Sequence, residues 1–531
     1  MGKHEPPAGA GKPWAFFAGS ALVAAGVLLH LPMFATAGAM GYRLAGMAMD
    51  PAMLWGMVLI VVGVAAAAYG LRPAVAGQLP DEVTVSPPED APLTRAHWVL
   101  MAVLAVALVI DIMKPASLGF VMPGTRAEYG LDPAQVAWLP LTALFGTVIG
   151  SFAWGWLADV YGRRASILLS SVMFVGTAIC GAMPSFGWNL AMCLLMGAAA
   201  GGMLPVTYAL LAETMPSKHR GWSLVLVGGL GAVGGYLAAS SLSAWLQPHF
   251  GWRVMWLLNL PTGLLLIAMS RLLPESPKFL MHIGRVEQAH ATLRRFGSVM
   301  TPKALGPVEA YAPIHNPTPP ASRRFAGTTT ALTVVALAWG LVNFGLLLWL
   351  PAELVARGYG VSAASRLISA SSAVALPTVF AVAFLYSRWS TKWTFAASLV
   401  ATALGLAGML LLDTPFGRSA GPLPSLALLL VGANGVIAIL LPYTAESYPL
   451  RVRGRAAGWV AGCSKFGGLI AQFLAILALT PSLTPASALI LVPVALALLL
   501  LIRFCAETRG RDLRELDEAR PPQGAHNTRT G

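Results

Sequence analysis

Fourteen apolar stretches, each about 20 residues long and so able to cross a bilayer as a helix, run through this chain with short polar or basic breaks between them. They fall near 14–40, 51–71, 98–122, 134–157, 165–183, 188–212, 221–245, 252–273, 328–351, 363–386, 392–413, 423–445, 455–479 and 482–504. In hydrocarbon each backbone N–H and C=O must be satisfied inside the protein, and a run of this kind does so as a helix. Composition agrees: 56% of the 531 residues are hydrophobic and 11% are charged, which is more apolar surface than a soluble fold hides. The expectation is an all-α membrane protein.

A repeat divides the fourteen. Glu213, Pro216, Arg220 and Gly221 are followed by Gly234 and Gly235; Glu446, Pro449, Arg453 and Gly454 are followed by Gly467 and Gly468. Both read E-x2-P-x3-R-G-x12-G-G, and the copies are offset by 233 positions. Each copy sits where one apolar run gives way to the next. Parallel repeats of this size belong to transporters built from two halves. The expected domains are an N-terminal extension with two spans and an acidic connector (1–97), a six-helix bundle (98–273), a linker (274–327), a second six-helix bundle (328–505) and a tail (506–531).

A formal charge of +13 can signal a nucleic-acid partner. Here the basic residues sit in short loops, where they orient helices instead. With the N-terminus in the cytoplasm, cytoplasmic segments hold 27 Lys and Arg and outer segments hold six: Arg43, Arg126, Arg253, Arg357, Arg366 and Arg418. An integral plasma-membrane protein with both termini cytoplasmic follows, and an excess of Arg over Lys points to a bacterial inner membrane. Cys180, Cys193, Cys463 and Cys505 lack metal-ligand spacing, so neither disulfides nor zinc are expected. With no nucleophile–base pair and no phosphate loop, the chain reads as neither an enzyme nor a cofactor binder. Segment 274–327 reads as a short amphipathic helical region and then a flexible stretch with Pro313, Pro317, Pro319 and Pro320. Asp81, Glu82, Glu89 and Asp90 make the connector acidic, and the chain from about 519 reads as disordered. The first apolar run is too long for a signal peptide.

Between the second and third core runs lies G-x-L-A-D-x-x-G-R-R, with Gly155, Asp159, Gly162, Arg163 and Arg164. Gly155 permits close helix approach, Asp159 can accept from a helix N-terminus or an arginine, and Gly162 turns the chain. This resembles the cytoplasmic loop signature of the major facilitator superfamily. Pro274, Glu275, Ser276, Pro277, Phe279 and Leu280, with Gly284, Arg285 and Glu287, resemble the P-E-S-P-R-[WY]-L…G-R…E sequence of its sugar-porter-like carriers. Glu507, Thr508, Gly510, Leu513 and Glu515 resemble their P-E-T-K-G-x-x-L-E-E ending, with Ala506 in place of Pro. The matches span residues 98–518.

The resemblance implies a major-facilitator fold of two six-helix bundles, here with an extra N-terminal pair. It implies secondary active transport of a small organic solute by alternating access, coupled to protons. A proton-driven drug or metabolite exporter, or a membrane sensor that kept the fold without transport, are the alternatives. The implied partners are the bilayer, the solute and protons, with no nucleic acid, and the expected state is a monomer. It also implies a cytoplasmic gate of ion pairs across the halves, formed from Asp159, Arg163, Arg164, Glu213, Arg220, Glu275, Arg285, Glu446, Arg453 and Glu507. Pairs worth about 1–3 kcal/mol each suffice to bias two states. The other reading of these residues is helix capping plus topogenic charge. In the second half Lys392 stands 233 positions after Asp159, so an asymmetric gate is expected.

Within the spans, Asp111 and Lys114 lie three apart on one helix face. Buried charges are costly and mark function, or the two neutralise each other. Related carriers read D-x-x-D-x-x-x-x-x-F-x-x-P here, and the second Asp is tied to proton coupling; this chain has Lys114 at that place. Asp111 is left to titrate, and Lys114 can bind an anion, which makes a carboxylate-bearing solute the finer expectation. Lys465 either binds the same anion or snorkels to the interface. Tyr208, Asn343 and Asn434, followed by Tyr236 and Gln472, are uncharged cavity candidates or interhelical hydrogen bonds. Gly146/Gly150, Gly197/Gly201, Gly231/Gly235 and Gly458/Gly462 are G-x-x-x-G pairs expected to seat neighbouring helices. The leading pair holds His30, Met33, Met40, Met47, Met49, Met53 and Met57, which suit gap-filling better than a soft-metal site. No metal is expected, and the pair reads as an accessory or oligomerisation element.

Overall fold

All fourteen expected spans are present as helices long and apolar enough to cross a membrane. The computed structural model describes residues 12–73, 92–297, 323–477 and 482–509, and no strand occurs among them. The leading pair is α1 (Pro13–Met40) and α2 (Pro51–Leu71). The first bundle comprises α3 (Arg95–Tyr129), α4 (Pro133–Tyr161), α5 (Arg163–Ala182), α6 (Phe186–Thr214), α7 (Lys218–Phe250) and α8 (Val254–Arg271). The second comprises α9 (Phe325–Ala356), α10 (Val361–Arg388), α11 (Thr391–Leu410), α12 (Leu423–Ser447), α13 (Val452–Ile476) and α14 (Leu483–Phe504). Two short helices, Pro277–His282 and Val286–Arg295, follow α8. The connector residues Asp81, Glu82, Glu89 and Asp90, the linker prolines and the tail from residue 510 lie outside the described residues. Successive spans alternate in direction, so Arg95, Arg163, Arg271, Arg388 and Arg503 share one basic end, while Tyr129, Ala182, Phe250 and Ala356 share the far end.

Small residues set how closely the helices approach. Gly146 and Gly150 of α4 lie on the backbone of Leu194 and Ala198 in α6; Gly197 and Gly201 return the contact on Ala143 and Thr147. A Cβ at Gly201 would stand 2.6 Å from the Ser151 nitrogen, so a side chain there forces the helices apart. Gly231 and Gly235 of α7 seat Leu108 and Ile112 of α3 in the same way. Gly458 and Gly462 of α13 are exposed, and nothing lies within 4 Å of the Cβ position of either. That G-x-x-x-G pair therefore seats no helix here, because the spacing supplies a groove but not a partner.

The leading pair is docked on the first bundle. Gly19, Gly26, Gly56 and Gly63 interlock α1 with α2, and Gly176 of α5 receives Ile60 and Val23. Met33 and Met53 are buried in the shared core. At the far end the loop after α1 is tied down by Glu128, which accepts from the Leu44 and Ala45 N–H groups at 2.7 and 3.0 Å. Glu128 also pairs with Arg253 at 2.8 Å, with side-chain exposures of 4% and 0%.

The halves meet along α7 with α10 and along α4 with α13. At the far end Ser241 bonds Ser369 at 2.7 Å, Ser243 bonds Ser365 at 2.8 Å, and Ser362 donates to the Ala244 carbonyl at 3.1 Å. Gly119 of α3 lies there against the Leu348 carbonyl and Pro351 of α9. The far end is thus closed by hydroxyl pairs and backbone contact.

Candidate functional site

A polar site forms between the halves near the middle of α3, α9 and α13, around a break in α9. Leu341–Leu347 adopt a π-helical turn. Such a turn offsets the normal backbone ladder, frees carbonyls for other partners, and is frequent at functional sites. Tyr236 of α7 donates to the Asn343 side-chain oxygen at 3.0 Å, and the Gln472 amide of α13 donates to the Phe344 carbonyl. Trp349 Nε1 holds Gln472 at 3.1 Å. Trp339 donates to the Ala433 carbonyl at 2.9 Å and meets Phe344 edge-on, with centroids 5.6 Å apart. Gly340, Gly467 and Gly468 let α9 and α13 come close enough for these contacts.

Lys465 reaches into this junction from α13, its Nζ 4.8 Å from the Phe344 ring centroid. An ammonium over a ring face is a cation–π contact that leaves other directions of the charge free. Asp111 is 5% exposed, and its Oδ1 has no hydrogen-bond partner. It feels the charges of both Lys114 and Lys465. Lys114 lies elsewhere: its Nζ is 2.6 Å from the centroid of Phe174 in α5, inside the first bundle, without a hydrogen-bond partner. No salt bridge joins it to Asp111 among the described residues. Tyr208 places its hydroxyl against Gly228 of α7. Asn434 lines a separate cavity of about 10 Å³ with Gly229, Thr378 and Val379, and its Nδ2 has no partner; that is room for one water at most. The structure therefore brings Asn343 and Lys465 together at Phe344, while no hydrogen bond or salt bridge joins Asp111 to either among the described residues, and Lys114, Tyr208 and Asn434 have other neighbours. Trp339, Trp349, Phe174 and the π turn were not foreseen. An aromatic inside an apolar run carries no distinguishing signal, and only Gly340 before the turn and Gly345 within it marked the place.

At the basic end each half carries one device. In the first, Glu275 Oε1 accepts from the N–H groups of Arg163 at 2.8 Å, Arg164 at 3.2 Å and Ser276 at 2.9 Å. Two of these are free donors at the α5 N-terminus, where the helix dipole favours an anion. Gly162, at φ 96°, makes the turn, and a Cβ there would strike Glu275. The Arg163 guanidinium reaches the Ala158 carbonyl at 2.9 Å, Asp159 at 3.3 Å and Glu213 at 3.4 Å, and the Ser276 hydroxyl donates to Glu213. Burial pushes the Glu275 carboxyl above its ordinary value against the pull of its three backbone donors.

In the second half Glu507 caps α11, accepting from Thr391 N at 2.9 Å, Thr391 Oγ1 at 2.5 Å and the Ser390 hydroxyl. Burial pushes its carboxyl up, but the hydrogen bonds from Ser390, Thr391 and Arg509 outweigh burial and hold it at about 2. Glu446 accepts from Thr508 and Tyr386, both at 2.7 Å. Glu275 thus matches Glu507, Glu213 matches Glu446 and Ser276 matches Thr508, while Tyr386 serves where the first half has Arg163. Arg220 and Arg453 also match: each donates, at 3.4 Å, to a carbonyl five residues back, on Met215 and Tyr448. The hydrogen bonds and ion pairs named here lie within one half, but the halves also meet at this end: a Cβ on Gly221 of α7 would stand 2.7 Å from Glu446 Oε1. Arg285 lines a cavity beside Arg164.

The sequence profile described as Major Facilitator Superfamily matches residues 99–472. A niacin transporter of Acinetobacter baylyi is 28% identical over 402 residues, covering 73% of this chain and 89% of that one. A 4-hydroxybenzoate transporter of the same organism is 25% identical over 409 residues, covering 72% and 85%. Among solved structures, a proton:xylose symporter bound to 6-bromo-6-deoxy-D-glucose superposes with a TM-score of 0.62 at 16% identity, covering 80% of this chain and 98% of that one. This last likeness speaks for the fold.

Proposed function

Because the chain belongs to the Major Facilitator Superfamily, whose members are membrane transporters of small solutes and not enzymes, we propose that it carries an aromatic monocarboxylate together with a proton by alternating access. The observation that carries this reading is Lys465, set over the Phe344 ring and within electrostatic reach of Asp111, whose Oδ1 is an open acceptor in the opposite half. A substrate carboxylate would pair with the Lys465 ammonium, and its ring would lie against Phe344 and Trp339. Asn343 and Tyr236 would bond a ring heteroatom or hydroxyl. The two relatives named for niacin and 4-hydroxybenzoate support the class, since both compounds are flat rings bearing one carboxylate.

Coupling follows from competition for one ammonium. Ionised Asp111 attracts Lys465. A proton on Asp111 releases Lys465 to the substrate anion, so proton and anion favour each other's binding. Lys114, one turn along α3, acts on Asp111 too, and more strongly than Lys465. The basic end lies in the cytoplasm by the positive-inside rule, with both termini there and the protein a monomer in a bacterial inner membrane. The bundles 98–273 and 328–505 are the moving bodies, joined by the linker 274–327. The Glu213 and Glu446 networks form the cytoplasmic gate, where Gly221 of the first half already meets Glu446 and Tyr386 of the second.

Thermal-shift titration of the purified protein tests the site. Nicotinate should raise the melting temperature, and its neutral amide should not. Lys465→Ala removes a charge-assisted contact worth about 1.5–3 kcal/mol, so its Kd should rise roughly 10- to 150-fold. Equal shifts from acid and amide, or unchanged affinity in Lys465→Ala, would overturn the reading.

A further inference from the structure

The leading pair and the first bundle leave a cavity of about 250 Å³ between them at the basic end. Its two walls differ in chemistry. Phe16, Leu168 and Phe279, from three separate elements, form an apolar wall. Phe17 extends that wall to the outside of α1, where it is 52% exposed. Arg72 at the end of α2, Arg164 at the start of α5 and Arg285 between the two short helices form a cationic wall. Glu275 is the carboxylate among the lining residues, and its Oε1 is already engaged by three backbone N–H groups. The Nε of Arg164 is buried and has no hydrogen-bond partner. An unpartnered buried donor is costly, and a ligand acceptor removes that cost.

Three arginines lining one cavity suit a phosphate, because the planar guanidinium fork gives bidentate, charge-assisted bonds. The apolar wall, continuous with the membrane-facing side of α1, suits a hydrocarbon chain. The cavity also sits where the spans end, at headgroup level. We propose that it binds one acidic phospholipid, with the phosphate on Arg72, Arg164 and Arg285 and an acyl chain along Phe16 and Phe17. Bound there, the lipid bridges the leading pair to the Gly162–Arg164 turn and holds the pair on the first bundle. This gives the extra helices a function of their own, independent of the transported solute.

The test uses the full chain purified in a neutral detergent and supplied with phosphatidylglycerol, phosphatidylcholine or inorganic phosphate alone. Phosphatidylglycerol should raise the melting temperature by at least about 2 °C, and native mass spectrometry should retain one such lipid per chain. Phosphatidylcholine and inorganic phosphate should do neither. Arg72 is exposed, so Arg72→Ala should melt like the wild type without lipid and lose the phosphatidylglycerol shift. Gln288, an exposed lining residue, gives a second variant: Gln288→Glu adds a negative charge and should also lose the shift, which keeps the test open if Arg72→Ala folds poorly. An equal shift from phosphatidylcholine, a full shift from inorganic phosphate alone, or an undiminished phosphatidylglycerol shift in both variants would overturn the assignment.

Discussion

Replacing Glu128 by Gln should release the leading pair from the far end of the first bundle. Five donors converge on this carboxylate: Nε and Nη2 of Arg253, Nε1 of Trp252, and the N–H groups of Leu44 and Ala45, at 2.7–3.2 Å. A glutamine keeps one acceptor oxygen and turns the other into a donor. Whichever way the amide sits, at least two of the five donors then face another donor. Arg253, which is 0% exposed, keeps the Met183 carbonyl and the Tyr129 hydroxyl, each at 2.7 Å, but loses its counter-charge. Breaking one side of a buried pair costs about 3–5 kcal/mol. In a chain of this size that lowers the melting temperature by on the order of 5 °C. Thermal unfolding in detergent measures the global effect. A cysteine introduced as Ala45→Cys measures the local one, because the native cysteines are buried and the loop should become more reactive. Adding Arg253→Met to Glu128→Gln should recover at least about 1 kcal/mol relative to the sum of the single changes. If Glu128→Gln melts with the wild type and leaves Ala45→Cys equally protected, the loop is not held by this pair.

Gly197→Leu should collapse the folded yield, because its Cβ would overlap the Ala143 carbonyl, whereas Gly458→Leu, with nothing within 4 Å, should leave the size-exclusion profile unchanged. The Glu507 cap on α11 should be fully stabilising above the ordinary carboxylate value of 4.5 and lost as pH falls through about 2. A spin label introduced as Arg509→Cys should therefore stay immobile down to about pH 4, and mobility gained between pH 6 and 5 would contradict the depressed value. Asp111→Asn should abolish gradient-driven accumulation while leaving exchange of labelled solute across the membrane; accumulation that survives the change would remove Asp111 from the coupling role.

The span count and the division into halves were legible because bilayer thickness fixes the length of an apolar run, and an internal duplication leaves a register that can be read directly. The site was legible only as a set of ionisable and amide residues inside spans. Asp111 and Lys114 share a helix by their spacing, but spacing on α3 does not say that Phe174 of α5 stands where the lysine points. The serines that close the far end, Ser241 with Ser369 and Ser243 with Ser365, look like any small polar residue in an apolar helix until the partner helix is in place. The symmetry of the carboxylates at the basic end was hidden for a different reason. Glu507 follows Glu275 by 232 positions, one short of the main repeat, and the loop that would have shown the match carries Lys392 where the first half has Asp159. What is duplicated is a cap on a helix N-terminus, which a carboxylate from a distant segment can supply.

The most direct test of the central claim is uptake into proteoliposomes holding the purified protein under an imposed proton gradient, with radiolabelled nicotinate outside. Nicotinate should accumulate against its gradient, an uncoupler should abolish the accumulation, benzoate and 4-hydroxybenzoate should compete, and nicotinamide and xylose should not. Lys465→Ala should lose uptake at low substrate concentration. A carrier that ignores the proton gradient, or that takes up xylose as readily as the carboxylates, would contradict the proposed pairing of Lys465 with a substrate anion and Asp111 with its proton.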